Sequence, residues 1–126
     1  LAADVRLADQ RDEPALRVMS LDGIVRSWIE IGSPTVRKLH RGAKMAKRVA
    51  VFSHKDPTPL LKDISEGDVH RASEIEVYSF SNGFIDELES ALEKDNDWNL
   101  VRNEGSLTVT LKSGRVIEGE IRLSRV

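Results

Sequence analysis

The 126-residue chain contains no cysteine. That excludes a disulfide framework and any thiolate metal centre, and it fits an expectation of a cytoplasmic protein. No apolar run approaches the roughly 18 residues needed to cross a bilayer, and no basic segment leads into an apolar leader. Glycine is too sparse for a phosphate cradle: Gly32 and Gly42 stand alone, and no Walker loop, nucleophile elbow or dinucleotide fingerprint is present. The three histidines, His40, His54 and His70, are scattered, so no pair has metal-ligand spacing on one helix. Aromatics are few, and Trp28 and Trp98 stand in strand-like segments, where a core role outweighs base stacking. Acid is missing from residues 31–55, which hold seven basic residues: Arg37, Lys38, Arg41, Lys44, Lys47, Arg48 and Lys55. From 86 to 97 the balance reverses, with six acids against Lys94 alone. The net charge of −2 hides this segregation, which points to an anionic partner on one face.

At this length the expectation is one domain over 1–126, able to bury a substantial core. Residues 2–8 alternate as a half-buried strand, and Pro14 opens a possible helical turn over 15–19. Asp22-Gly23 turns the chain into an apolar run over 24–31, rich in β-branched and aromatic residues and stopped by Gly32-Ser33-Pro34. It reads as a strand, a possible neighbour of 2–8. Ser33 or Thr35 can cap a following helix, whose apolar positions Val36, Leu39, Ala43 and Ala46 form one stripe. Its other face is nearly all Lys and Arg. Gly42 weakens such a helix by about 1 kcal/mol relative to alanine, so close packing or a tolerated cost accompanies it. Residues 48–53 form the next strand, which completes a right-handed parallel βαβ unit.

Beyond a two-proline loop, 60–64 makes at most a short helix and 73–80 an alternating strand with Ile75 and Val77 inward. Ser81 or Asn82 caps a second principal helix, with Phe84, Ile85, Leu88, Ala91 and Leu92 on its apolar face and its end at 96–99. Strands over 98–102, 107–111 and 116–123 close the chain as an antiparallel meander. The fold class is α/β or α+β: a mixed sheet with a βαβ unit, two principal helices and the meander.

One carboxylate, Glu30, lies inside the apolar run. Burying it ionised is costly unless a cation, a donor or water meets it, so it stands either at an exposed lip or in a site. The stretch Trp28-Ile29-Glu30-Ile31-Gly32-Ser33-Pro34, with Asp12-Glu13-Pro14-Ala15-Leu16 upstream, resembles the YaeQ family of small bacterial proteins. The resemblance runs on through Arg37-Lys38-Leu39, the 49–52 strand and the closing hairpins. It implies a variant of the PD-(D/E)XK nuclease core and a metal-dependent nuclease or nucleic-acid binder. Ser33 stands where the family usually has glutamine, and the family's leading strand and helix are absent. With Leu1 opening the chain, the expectation is a fragment or a short member.

Phosphodiester cleavage at such a core uses two carboxylates on a hard cation, whose bound water attacks while a nearby cation meets the phosphate. By resemblance Asp12 (or Glu13) and Glu30 are the carboxylates, holding Mg²⁺ or Mn²⁺. The lysine that normally follows the acid two positions on is replaced by Gly32, so Lys38 or Arg41 is the candidate substitute. Arg37, Lys44 and Lys47 would hold backbone phosphates of DNA or RNA, and Ser33 offers a hydroxyl at a helix start. The alternatives are a nucleic-acid-binding or regulatory protein that has lost the chemistry, and a protein-interaction domain using the acidic 86–97 segment. Each candidate also has a plain reading: a solvated loop for Asp12, a surface strand acid for Glu30, a solvated helix face for the basic run, a cap for Ser33.

Overall fold

The computed structural model describes residues 13–126 and the backbone of 3–7. The chain falls into two compact units, one holding the residues up to Tyr78 with Leu123–Val126, the other Ser79–Arg122. Both mix strands and helix, so the α+β class holds.

In the first unit, strands β1 (Ala3–Leu7), β2 (Leu16–Ser20), β3 (Val25–Ile31), β4 (Arg48–Ser53) and β5 (Glu76–Phe80) lie side by side in that order. β1–β2 and β2–β3 are antiparallel, whereas β3 and β4 are parallel with Trp28 opposite Val49 and Glu30 opposite Val51. Helix α1 (Val36–Met45) crosses between β3 and β4, giving the βαβ unit the sequence implies. Residues 15–19 are not a helical turn. One isolated turn closes few hydrogen bonds, whereas as β2 this segment pairs along both edges and separates β1 from β3. The first and second apolar segments thus share a sheet without being neighbours.

A bulge shifts the β2–β3 register between Val18 and Met19. The extra residue reverses the alternation locally, so Val25 and Trp28, three apart, enter the same core. There they meet Leu39 and Ala43 of α1, Ala46 at its C-terminal cap, Val49 and Val51 of β4, Val77 of β5, and Leu60 and Ile64 of helix α2. That helix spans Thr58–Glu66, longer than the 60–64 expected. Its prolines 57 and 59 stand at the cap and in the first turn, where no amide hydrogen is needed. Asp56 Oδ1 accepts there from Thr58 N at 3.0 Å and Thr58 Oγ1 at 2.8 Å.

The expected strand over 73–80 begins instead with a 3-10 turn, Ala72–Glu74, and β5 starts at Glu76. Both its faces are buried through Ser79, not the Ile75–Val77 face alone.

In the second unit, α3 (Phe84–Ser90) is capped by Gly83 in a left-handed conformation (φ 80°), so neither Ser81 nor Asn82 serves as its side-chain cap. It also ends well before 96. Its last turn carries no base to offset the helix dipole, and Asn96 closes a turn on Glu93, accepting from its N–H and donating to its carbonyl. The meander matches expectation: β6 (Asn99–Asn103), β7 (Ser106–Thr110) and β8 (Val116–Ser124), antiparallel throughout. Phe84, Val109 and Ile117 form its core.

Candidate functional site

Successive strand residues point to opposite faces of a sheet. Trp28 and Glu30, two apart at the end of β3, therefore share the face that α1 covers. Glu30 is buried at 3% exposure, so the exposed-lip reading fails. Its carboxylate is met on every side: Oε2 accepts from Trp28 Nε1 at 3.2 Å, and Oε1 accepts from Ala15 N at 3.3 Å. Lys38 Nζ stands 3.4 Å from Oε1 and supplies the compensating charge.

Three local features place these groups. Thr35, not Ser33, caps α1: its Oγ1 accepts from Lys38 N at 3.2 Å, which starts the helix one turn before Leu39 and turns Lys38 inward over β3. Gly42 lies against Trp28, where a Cβ would stand 2.8 Å from three ring atoms, so the glycine marks close packing. Pro14 is fully buried and brings the Ala15 amide to Glu30. At the other end of α1, the Arg71 guanidinium donates to Ala43 O at 2.8 Å and Ala46 O at 2.7 Å, satisfying carbonyls that the helix end leaves open.

Of the residues singled out from sequence, Glu30 and Lys38 come together. Arg37, Arg41 and Lys44 are exposed along one stripe of α1 at helical spacing, with Lys47 exposed just beyond its end. Ser33 is exposed. Asp12 lies outside the described residues, and Glu13 pairs with Arg17 at 3.6 Å. His40 and His70, 30 residues apart, meet edge to face, with His40 Nδ1 accepting from His70 N at 2.9 Å. Sequence reasoning missed Trp28 as a partner of Glu30. The signal was their spacing of two within a strand. It also missed a second buried glutamate on the opposite face.

That residue, Glu76, accepts from Arg48 Nε at 2.6 Å and Nη2 at 2.8 Å, and from Tyr78 Oη at 2.6 Å. Phe52 stacks on Tyr78 with centroids 5.0 Å apart. The Arg48 hydrogen bonds, helped by that from Tyr78, hold the Glu76 carboxyl below its usual range against the opposing effect of burial. Glu76 in turn raises the Arg48 guanidinium above its ordinary value.

As a donor set for a hard cation, Glu30 offers the right chemistry, since Mg²⁺ takes one or two carboxylates and keeps several waters. Among the described residues no three or more His, Cys, Asp or Glu side chains gather to hold a metal. No described helix is long and apolar enough to cross a membrane.

No curated protein matches the chain. Among solved structures it is similar to the YaeQ protein from Xanthomonas axonopodis pv. citri, with a TM-score of 0.82 at 12% identity, over 97% of this chain and 71% of that one. It is likewise similar to the YaeQ protein from Pseudomonas syringae, with a TM-score of 0.80 at 20% identity, over 97% of this chain and 69% of the other. The family model described as YaeQ protein matches residues 6–118, nearly the whole sequence, and the chain belongs to the YaeQ family.

Proposed function

We propose that the chain carries a nuclease-like phosphodiester site of the PD-(D/E)XK type, with Asp12 and Glu30 as ligands for Mg²⁺ or Mn²⁺ and Lys38 as the cation that meets the phosphate. One observation carries the reading. The lysine missing two positions after Glu30 has a substitute in Lys38, which reaches Glu30 from α1 at 3.4 Å. The family lysine would fall at Gly32, whose φ of 96° ends the strand. When bound, a divalent ion supplies a water of lowered pKa and charge neutralisation at the phosphate. The chain's own part is to hold Glu30 oriented in a buried setting, to present one ammonium beside it, and to guide the substrate backbone. Arg37, Arg41, Lys44 and Lys47 serve the last task, with Arg41 also a candidate assistant at the phosphate and Ser33 exposed at the helix entrance.

A second reading, nucleic-acid binding without cleavage, is favoured by the saturation of Glu30: both oxygens have protein partners. Labelled single- and double-stranded DNA and RNA, incubated with Mn²⁺ or with chelator, separate the two. The nuclease reading expects cleavage that Glu30→Gln and chelator abolish while salt-sensitive binding persists. Binding without cleavage, indifferent to chelator and weakened by Arg37→Glu, would move the function to the second reading. Each basic side chain lost from a phosphate contact should lower the log–log salt slope by about 0.9.

A further inference from the structure

The core face of the meander is covered only in part. Val109 and Ile117 are buried there with Phe84 of α3. Leu100 stands opposite Val109 in β6 and shares that face, yet it is 57% exposed. Among the described residues β6 pairs with β7 alone, and its other edge presents a row of backbone N–H and C=O groups. No proline, lysine or bulge guards that edge. At its start opens a groove of about 370 Å³, whose floor of Ala91, Trp98 and Leu111 packs on the same core. The rim carries the exposed carboxylates of Glu93, Asp95 and Asp97 against one base, Lys112. Asn96 fixes that rim through its two hydrogen bonds to the Glu93 backbone. An apolar floor under a mostly acidic rim suits a side chain with an apolar stem and a cationic head.

We propose that a second copy of this chain pairs at that edge, β6 against β6 and antiparallel about a two-fold axis at Leu100, with Arg102 of each copy entering the groove of the other. The register follows from the strand's own sequence. With Leu100 opposite its counterpart, Arg102 falls opposite Trp98 and Val101 opposite Asn99, and no two like charges meet. Trp98, Leu100 and Arg102 are spaced by two, so all three lie on the core face. The exposed Leu100 is covered by its twin, while the guanidinium lies over the indole beside the rim carboxylates. A two-fold at Val101 would instead set Trp98 opposite Glu104 and Leu100 against Arg102. The interface is isologous, so every contact occurs twice and the pairing closes at two copies. It does not depend on the reading of Glu30.

Sedimentation equilibrium over a concentration series tests this on the full chain, with each variant checked for folding by circular dichroism. The wild type should pass reversibly from monomer to dimer, and less readily as salt is added, because the rim carboxylates are exposed. Leu100→Lys sets two ammonium groups on the axis and should leave a monomer. Arg102→Gln should raise the dissociation constant about tenfold, equivalent to about 1.4 kcal/mol. Arg102→Asp should abolish the dimer, and adding Asp97→Arg to the same chain should restore it with the charges exchanged. Amide exchange from Asn99 to Val101 should slow as the wild-type concentration rises and stay fast in Leu100→Lys. A wild type that remains monomeric at every concentration overturns the proposal. A dimer that neither Leu100→Lys nor Arg102→Gln weakens forms through another surface and overturns it as well.

Discussion

Glu30 and Glu76 are both buried in the first unit, on opposite faces of the same sheet, and both are ionisable groups with cationic partners. The resemblance ends there. Glu76 is clamped by two short guanidinium hydrogen bonds and a tyrosine hydroxyl, none longer than 2.8 Å. Among the described residues Glu30 has no hydrogen bond or ion pair shorter than 3.2 Å, and its cation is a single ammonium on a flexible stem. A forked guanidinium matches a carboxylate in two bonds at once, while a lysine presents a point charge that moves readily. The first arrangement ties strands together. The second sets one buried carboxylate against a single charge on a movable stem. Burial is thus common to both glutamates; the manner of compensation is what separates them.

The comparison can be broken from the Glu30 side most severely at Trp28. Trp28→Ala removes a fully packed ring and a donor, and should lower unfolding stability by about 3–5 kcal/mol in urea melts. Trp28→Phe restores most of the packing, leaving only the loss of the indole hydrogen bond. Equal losses in the two variants would show that the Nε1–Oε2 bond, rather than the ring, dominates.

Gly42→Ala comes next. Alanine raises helix propensity by about 1 kcal/mol, yet its Cβ would stand 2.8 Å from the Trp28 ring. Overpacking should win and leave a net loss of about 1–2 kcal/mol. A neutral or stabilised variant would mean that the ring has room to shift, and that Trp28 does not pin Glu30.

The Glu76 side should respond more gently and in a pH-dependent way. Arg48 keeps 55% of its side chain exposed, so Glu76→Gln leaves no buried charge behind and should cost about 1 kcal/mol at neutral pH. Because Arg48 and then Tyr78 depress the Glu76 carboxyl in the folded state, its contribution is present above the unfolded value of about 4.3. It is lost as the pH falls from there through the folded value. The stability gap between wild type and Glu76→Gln should accordingly close in that acid window. A gap that stays constant down to the acid limit would contradict the clamp.

Much of this architecture was written in local patterns. The alternating and apolar runs of β3, β4 and the meander, the stripe of α1 and the turn glycines each carry their own signal within a few residues. The errors fell where two patterns fit one segment. Leu16-Arg17-Val18-Met19-Ser20 suits one helical turn or five strand residues, and only pairing on both edges decides for β2. Prolines 57 and 59 read as part of a loop and instead start a helix. At the site, Glu30 was visible as a charge within an apolar run, and Lys38 as one of several bases downstream. Which base turns inward was not visible, because that depends on the Thr35 cap setting the phase of α1 over β3. The Arg48–Glu76 clamp joins residues 28 apart and left no local trace.

The most direct test of the contrast between the two glutamates is Mn²⁺ binding by calorimetry at neutral pH, on wild type, Glu30→Gln and Glu76→Gln, each verified as folded. The account predicts binding to the wild type that Glu30→Gln abolishes and Glu76→Gln preserves. Folded wild type that binds no Mn²⁺, or binding that survives in Glu30→Gln, would contradict it and leave Glu30 as a second structural carboxylate.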